Sequence, residues 1–326
     1  MKISHLIFSL YVACALLLAG CAPANITLFP RYSDPLEEQV LQGTHQDKIL
    51  VISIQGFISS TPREGMLTTK PSLVQEVVAH LDMARRDPLI RAVILTVDTP
   101  GGTTVDSDIL YHEIERFRLE TGTPVVVSLM GMATSGGYYI SLASDLITAH
   151  PATITGSVGT IFIRPKVHGL MEKLGLEAQV TRSGSLKDMG SPFRPELPAE
   201  QELIQQMVDD VNGFFLELVQ QRRRLSAEHM ADVASARIYT ASQALEVGLI
   251  DEVLHFPRVL TRAAEISGAS PDARVVVYRR SAYANDNVYN TMTNSAPGPA
   301  LVDFGFVGHM ASLKSGFYYL WAPQYE

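Results

Sequence analysis

From residue 48 onward, short apolar runs alternate with longer amphipathic stretches. Residues 49–54, 92–97 and 125–130 are nearly continuous runs of Val, Ile, Leu and Ala, the pattern of strands buried on both faces. Residues 145–149 read as a fourth strand. Between the first two runs, 72–86 reads SLVQEVVAHLDMARR, with apolar positions at helical spacing and Ser72 placed as the N-cap. Similar spacing predicts helices over 105–119, 135–143, 198–224 and 241–246, and short elements are expected at 158–163, 167–174 and 178–181. Strands that alternate with helices predict an α/β layer fold. The rhythm breaks at about residue 271. The remainder is rich in Asn, Ser, Tyr and Gly and closes on the aromatic run Phe317-Tyr318-Tyr319-Leu320-Trp321.

The other end of the chain bears on compartment. Met1-Lys2 is a short positive start, and residues 6–18 form an apolar run without charge. Such a run is too short for a comfortable bilayer span and reads as the core of a signal peptide. Leu18-Ala19-Gly20-Cys21 follows at once and resembles a bacterial lipobox, in which the Cys is lipidated and the leader is cut off before it. The alternative is an ordinary secretory signal with a Cys near its end. The expectation is a lipoprotein signal over 1–20, a polar, Pro-containing tether over 21–46, and attachment to a lipid bilayer through Cys21. Of the two cysteines, Cys14 lies inside the leader. The mature chain then has no free thiol for a disulfide, a metal site or a nucleophile. The expected place is the cell envelope, facing the periplasm or another extracytoplasmic side.

Composition narrows the classes. Hydrophobic residues make up 46% and charged residues 18% of 326 residues, which excludes a disordered chain. The formal charge of −8 argues against a nucleic-acid partner held through phosphates. The triplet Arg222-Arg223-Arg224 ends an acid-rich helix and reads as a solvated face near its C-terminus.

Three loops concentrate small residues. Asp98-Thr99-Pro100-Gly101-Gly102 is either a tight strand-to-helix turn or a place where a backbone N–H faces a developing anion. Met132-Ala133-Thr134-Ser135-Gly136-Gly137 sets a Ser where a strand ends and a helix begins. That Ser is either an N-cap or a nucleophile with its Oγ exposed and the Gly136 N–H beside it. The stretch from Ser183 to Phe193 places Lys187 in a Gly/Ser-rich setting, either as a surface Lys or as a base for Ser135. A Lys base needs its pKa lowered from about 10.4 to roughly 7–8, which requires burial. His112, His150 and His168 are the histidines nearest Ser135 in sequence, and none lies in a loop with an obvious partner.

At these loops the sequence resembles the signal peptide peptidase A family, Ser-Lys serine proteases of the crotonase and Clp-protease superfamily. The resemblance runs from about 48 to about 254. It is carried by Ser135-Gly-Gly-Tyr-Tyr-Ile, by Pro151-Ala-Thr-Ile-Thr-Gly-Ser-Val-Gly, and by Ser183-Gly-Ser-Leu-Lys-Asp-Met-Gly-Ser-Pro-Phe. It implies an α/β fold built as a spiral of repeated ββα units, with Ser135 as nucleophile and Lys187 as general base. By the same resemblance Ser157 orients the Lys, and Gly102 and Gly136 supply the oxyanion N–H groups. The Clp branch carries a His about 25 residues after the Ser; here that position is Thr160, which argues against a Ser-His-Asp triad. The family's usual Asn-Ser before Pro-Gly-Gly is Asp98-Thr99 in this chain. An ionised Asp98 facing the oxyanion site would oppose the transition-state charge.

The resulting expectation is an envelope serine endopeptidase over 47–270, with a C-terminal extension over 271–326 and no cofactor. It would act on peptide substrates, cleaved signal sequences or other extended hydrophobic peptides. It would also be a short family member that forms a homo-oligomer, with Lys187 of one subunit meeting Ser135 of its neighbour. The rivals are a catalytically impaired scaffold lipoprotein and a crotonase-type acyl-CoA enzyme.

Overall fold

A computed structural model describes residues 34–64, 69–283, 285–292, 315–321 and 323. The expected leader and Cys21 lie outside these residues. The first strands in chain order are β1 (Glu37–Gln42), β2 (His45–Gln55), the small hairpin of β3 (Arg63–Glu64) and β4 (Thr69–Lys70), β5 (Ile90–Thr99), β6 (Gly101–Thr103) and β7 (Val125–Thr134). Then come β8 (Leu146–Ala149), β9 (Ile154–Gly156), β10 (Ile161–Ile163), β11 (Ile238–Thr240), β12 (Glu252–Val253), β13 (Ala273–Arg279) and β14 (Gly316–Leu320). The helices are α1 (Leu73–Arg85), α2 (Thr104–Thr121), α3 (Gly136–Ser141), α4 (His168–Leu174), α5 (Pro198–Arg223), α6 (Ala227–Ala234), α7 (Ala241–Val247) and α8 (Phe256–Ser267).

The main sheet runs β1-β13-β2-β5-β7-β8-β12, and β9 with β11 branches from the C-terminal end of β7. All ladders from β13 to β12 are parallel, and β1 closes one edge antiparallel to β13. Parallel central strands are covered on both faces, which is why β2, β5 and β7 read as unbroken apolar runs. On one face Leu50, Ile52, Leu95 and Val127 pack against α1, α2, α3 and α5 through residues such as Val77, Ile114, Tyr138 and Phe215. On the other face Ile49, Val51, Ile94 and Val126 pack against Val259, Leu260 and Ala263 of α8. The α/β class expected from the sequence is the one observed. Successive units pair a long sheet strand with a short second segment and then a helix: β2, the Ile58–Gly102 bridge and α1, followed by β5, β6 and α2.

Two expected boundaries move. Residues 37–42, expected within the tether, form β1, with Glu37 opposite Arg279 and Gln39 opposite Val277. An edge strand buries one weak face, so its sequence is polar; Lys48 pins it, donating to Glu38 at 2.7 Å and to Asp87 at 2.8 Å. Within 271–326, expected as an extension, β13 enters the main sheet between β1 and β2, with Val275, Val276 and Val277 buried. Residues 178–181, expected as a short element, carry neither helix nor strand and are exposed. Among the described residues, no helix is long and apolar enough to cross a membrane.

Candidate active site

Ser135 joins the end of β7 to α3. Its backbone lies at φ 53°, ψ −115°, far from the ordinary regions for an L-residue. The turn is fixed at both ends: Ser135 N–H donates to Gly156 O at 2.8 Å, and Ser135 O accepts from Tyr139 N–H at 2.8 Å. The side chain does not cap α3. Its Oγ lies 3.5 Å from Gly159 O, and the residue has no solvent-exposed surface. The turn is sharp and strained, a geometry in which a serine Oγ can be presented from the end of a strand.

The two glycines singled out from the sequence converge beside it. A Cβ added at Gly136 would lie 3.1 Å from Gly102 N, and one at Gly101 would lie 2.8 Å from Gly136 N. Gly101 takes φ 109°, which turns the chain between β5 and β6. Gly102 passes so close to β2's continuation that a Cβ would stand 2.0 Å from Ile58 O. Thr99, fully buried, holds the loop by accepting from Gly101 N–H at 3.0 Å. Asp98 takes no part in the site. It points to the solvent side of β5, where its Oδ1 accepts Met132 N–H at 2.9 Å. Alternation along a strand puts Asp98 and Thr99 on opposite faces, so the carboxylate does not oppose an oxyanion.

Ser157 follows Gly156 and also has positive φ, at 51°; its N–H donates to Arg237 O at 2.8 Å. The Gly156 carbonyl that anchors Ser135 thus sits one residue from Ser157. The chain therefore brings Ser135, Ser157, Gly102 and Gly136 together. It does not bring Lys187 to them. Lys187 is exposed, in a turn where its N–H donates to Gly184 O at 3.1 Å, and no hydrogen bond among the described residues joins it to Ser135. The loop itself is ordered by the next residue. Asp188 accepts from Arg194 Nε and Nη2, each at 2.9 Å, and Arg194 also reaches Glu200 in the first turn of α5. The Arg194 guanidinium holds the Asp188 carboxyl well below the usual carboxylate range. Among the described residues no histidine bonds Ser135 either: His112 faces Asp108 and Glu115 on α2, and His150 packs edge-on against His255. No group of three or more His, Cys, Asp or Glu gathers as a metal site among the described residues.

Residues 118–270 match the family model of peptidase family S49. A protein of Synechocystis sp. named as protease slr0021 is 34% identical over 225 residues, covering 69% of this chain and 76% of its own. A protein of Enterococcus faecium that carries the name signal peptide peptidase SppA is 32% identical over 217 residues, 67% of this chain and 63% of its own. The chain belongs to peptidase family S49. Its matched region thus spans less than two thirds of the Enterococcus relative. A solved structure, the 1510-N membrane-bound stomatin-specific protease, superposes with a TM-score of 0.42 at 20% identity, over 67% of this chain and 86% of that one.

For an S49 chain, one participant near Ser135 was not anticipated. β14 pairs with β6 and with β10, so the closing aromatic run lies against Gly101 and Gly102. The run itself was conspicuous in the sequence; its pairing partners, three residues each, were not.

Proposed function

We propose that this chain is an S49 serine endopeptidase that hydrolyses extended hydrophobic peptides, cleaved signal sequences among them, in the cell envelope. The observation that carries the reading is Ser135 in its strained turn, with Gly102 N and Gly136 N beside it. In the proposed reaction Ser135 Oγ attacks the scissile carbonyl while Lys187 Nζ takes its proton. The N–H groups of Gly102 and Gly136 hold the oxyanion, and Ser157 orients the Lys. The amine leaves with the proton from Lys187, and water then attacks the acyl-enzyme, its proton passing through Lys187 and returning to Ser135.

A Lys base must be neutral, which calls for burial, and Lys187 of a lone chain is exposed. We therefore assign the base at each Ser135 to the neighbouring subunit of a homo-oligomeric ring, whose head-to-tail contact repeats around the assembly. Supporting this, the segment around Lys187 exposes large apolar side chains among the described residues: Leu170, Leu174, Leu176, Val180, Leu186 and Phe193. Lipidated Cys21 would tether the ring to the bilayer.

Ser135→Ala and Lys187→Ala should each lower peptide hydrolysis by about 10³-fold or more while the folded signal in circular dichroism is unchanged. Near-full activity in Lys187→Ala would remove the Ser-Lys assignment.

A further inference from the structure

A cavity of about 450 Å³ opens between α2 and α5, and the proposed reaction gives it no part. It lies one helical turn beyond the nucleophile. Tyr139, which lines it, donates its backbone N–H to Ser135 O at 2.8 Å, and its hydroxyl donates to Asp108 Oδ1 at 2.7 Å. Tyr111 meets Tyr139 edge-on at 5.6 Å between centroids, so the inner wall is aromatic. Val105 of α2 and Phe214 of α5 are each 66% exposed and give the entrance an apolar lip.

The charge of the lining is one-sided. Asp108 and Glu217 bring two carboxylates, and no Lys or Arg lines the cavity. Among the described residues neither carboxylate pairs with a Lys or Arg. Asp108 has the Tyr139 hydroxyl and, at 3.6 Å, His112 Nε2; Glu217 Oε1 accepts from Gln221 Nε2 at 3.0 Å. Glu115, on the same helix as Asp108, differs. Arg222 pairs with it, and the Arg222 guanidinium stands 5.6 Å from the centroid of the Tyr111 ring. One guanidinium is thus already held here by a carboxylate and an aromatic face. Ring faces attract a cation through their quadrupole, and a carboxylate beside them adds a Coulomb attraction that partial exclusion of water strengthens. An alkyl stem can lie along apolar surface while its charged head reaches the acids. The apolar lip, the aromatic wall and the two carboxylates together fit a Lys or Arg side chain.

We infer that this cavity binds the Lys or Arg side chain of a peptide substrate, through Asp108 and Glu217. The inference rests on the peptidase reading above and narrows its substrate class to peptides that join a basic residue to an apolar run. Leader sequences have that composition: in this chain Lys2 precedes the uncharged apolar run 6–18. Two parts of the molecule then read two parts of one peptide. The apolar segment lies extended beside Ser135, and the basic residue reaches the cavity between α2 and α5.

The test uses the full chain and separates binding from hydrolysis. In a Ser135→Ala background, fluorescence anisotropy measures Kd for a labelled apolar peptide that carries one Lys, and for its twin with norleucine in that place. The Lys is moved stepwise along the peptide. At one or more positions the Lys peptide should bind about tenfold tighter than its twin. Asp108→Asn keeps an acceptor for the Tyr139 hydroxyl and removes the charge; combined with Glu217→Gln it should bring the ratio of the two Kd values close to one. Glu217→Lys alone should bring the same loss. Equal Kd for both twins at every position, or a Lys preference that survives in the folded double variant, would overturn the inference and leave the peptidase reading standing. Absence of hydrolysis by the chain that retains Ser135, alongside a Lys preference in binding, would overturn the peptidase reading, and with it the assignment of the bound peptide as a substrate.

Discussion

Ser135 holds a backbone conformation that costs about 1–3 kcal/mol in an L-residue. Ser135→Gly should release that strain, raising stability by about 1 kcal/mol in a denaturant titration while eliminating hydrolysis. Gly136→Ala tests the other side of the turn. Its Cβ would sit 2.5 Å from Ser107 Oγ and 3.1 Å from Gly102 N, so the two N–H groups must part and activity should fall steeply. Arg194 acts at one remove, through Asp188 on the residue after Lys187. Arg194→Ala should lower kcat by roughly ten- to a hundredfold, with KM little changed, because a displaced base still allows binding. Arg194→Lys should not restore it, since the Asp188 contact uses two guanidinium nitrogens. That Ser135, Gly102 and Gly136 would fall beside one another was readable as small residues after strands. The side to which Asp98 points was not readable from the residue itself, and strand alternation resolved it.

At the scale of elements, α1 was legible because both its period and its cap were present: Ser72 Oγ accepts Gln75 N–H at 3.1 Å. α8 was not expected, although Phe256, Val259, Leu260 and Ala263 recur at helical spacing and Gly268 closes the helix in the left-handed conformation. The short strands β6, β9, β10 and β11 were hidden, because three residues cannot establish an alternation. α1 also carries a titratable group with a measurable consequence. Both ring nitrogens of His80 are shielded from solvent without a hydrogen-bond partner, and the ring meets Tyr278 edge-on at 5.9 Å. Burial pushes its pKa down to about 4, opposed by Glu76 and aided by Arg280. The unfolded chain takes up the proton near pH 6.5 and the folded chain near 4, so stability is lost as pH falls through that window. The loss reaches about 3 kcal/mol below it. His80→Leu should flatten this slope in urea titrations between pH 7 and 4; an unchanged slope would assign the loss to other groups.

At the scale of the whole molecule, the chain closes one sheet from distant segments. β1 and β13 complete the edge beside β2, and β14 returns to the site. The sequence separated both ends from the core because each lies beyond the alternating block, and pairing across more than two hundred residues leaves no local trace. The exposed Lys187 segment is the remaining incompleteness, and the proposed ring answers it. Ser135→Ala and Lys187→Ala chains, inactive alone, should recover a fraction of activity when co-assembled, because some boundaries then pair an intact Ser135 with an intact Lys187. No recovery in verified mixed oligomers would mean that each subunit carries its own pair. Whether Lys187 activates Ser135 is decided by mapping the covalent adduct of an aryl phosphonate by peptide mass spectrometry. The expected result is an adduct on Ser135 that is lost in folded Lys187→Ala. An adduct forming equally fast in Lys187→Ala, or none on Ser135 in the folded chain, would contradict it.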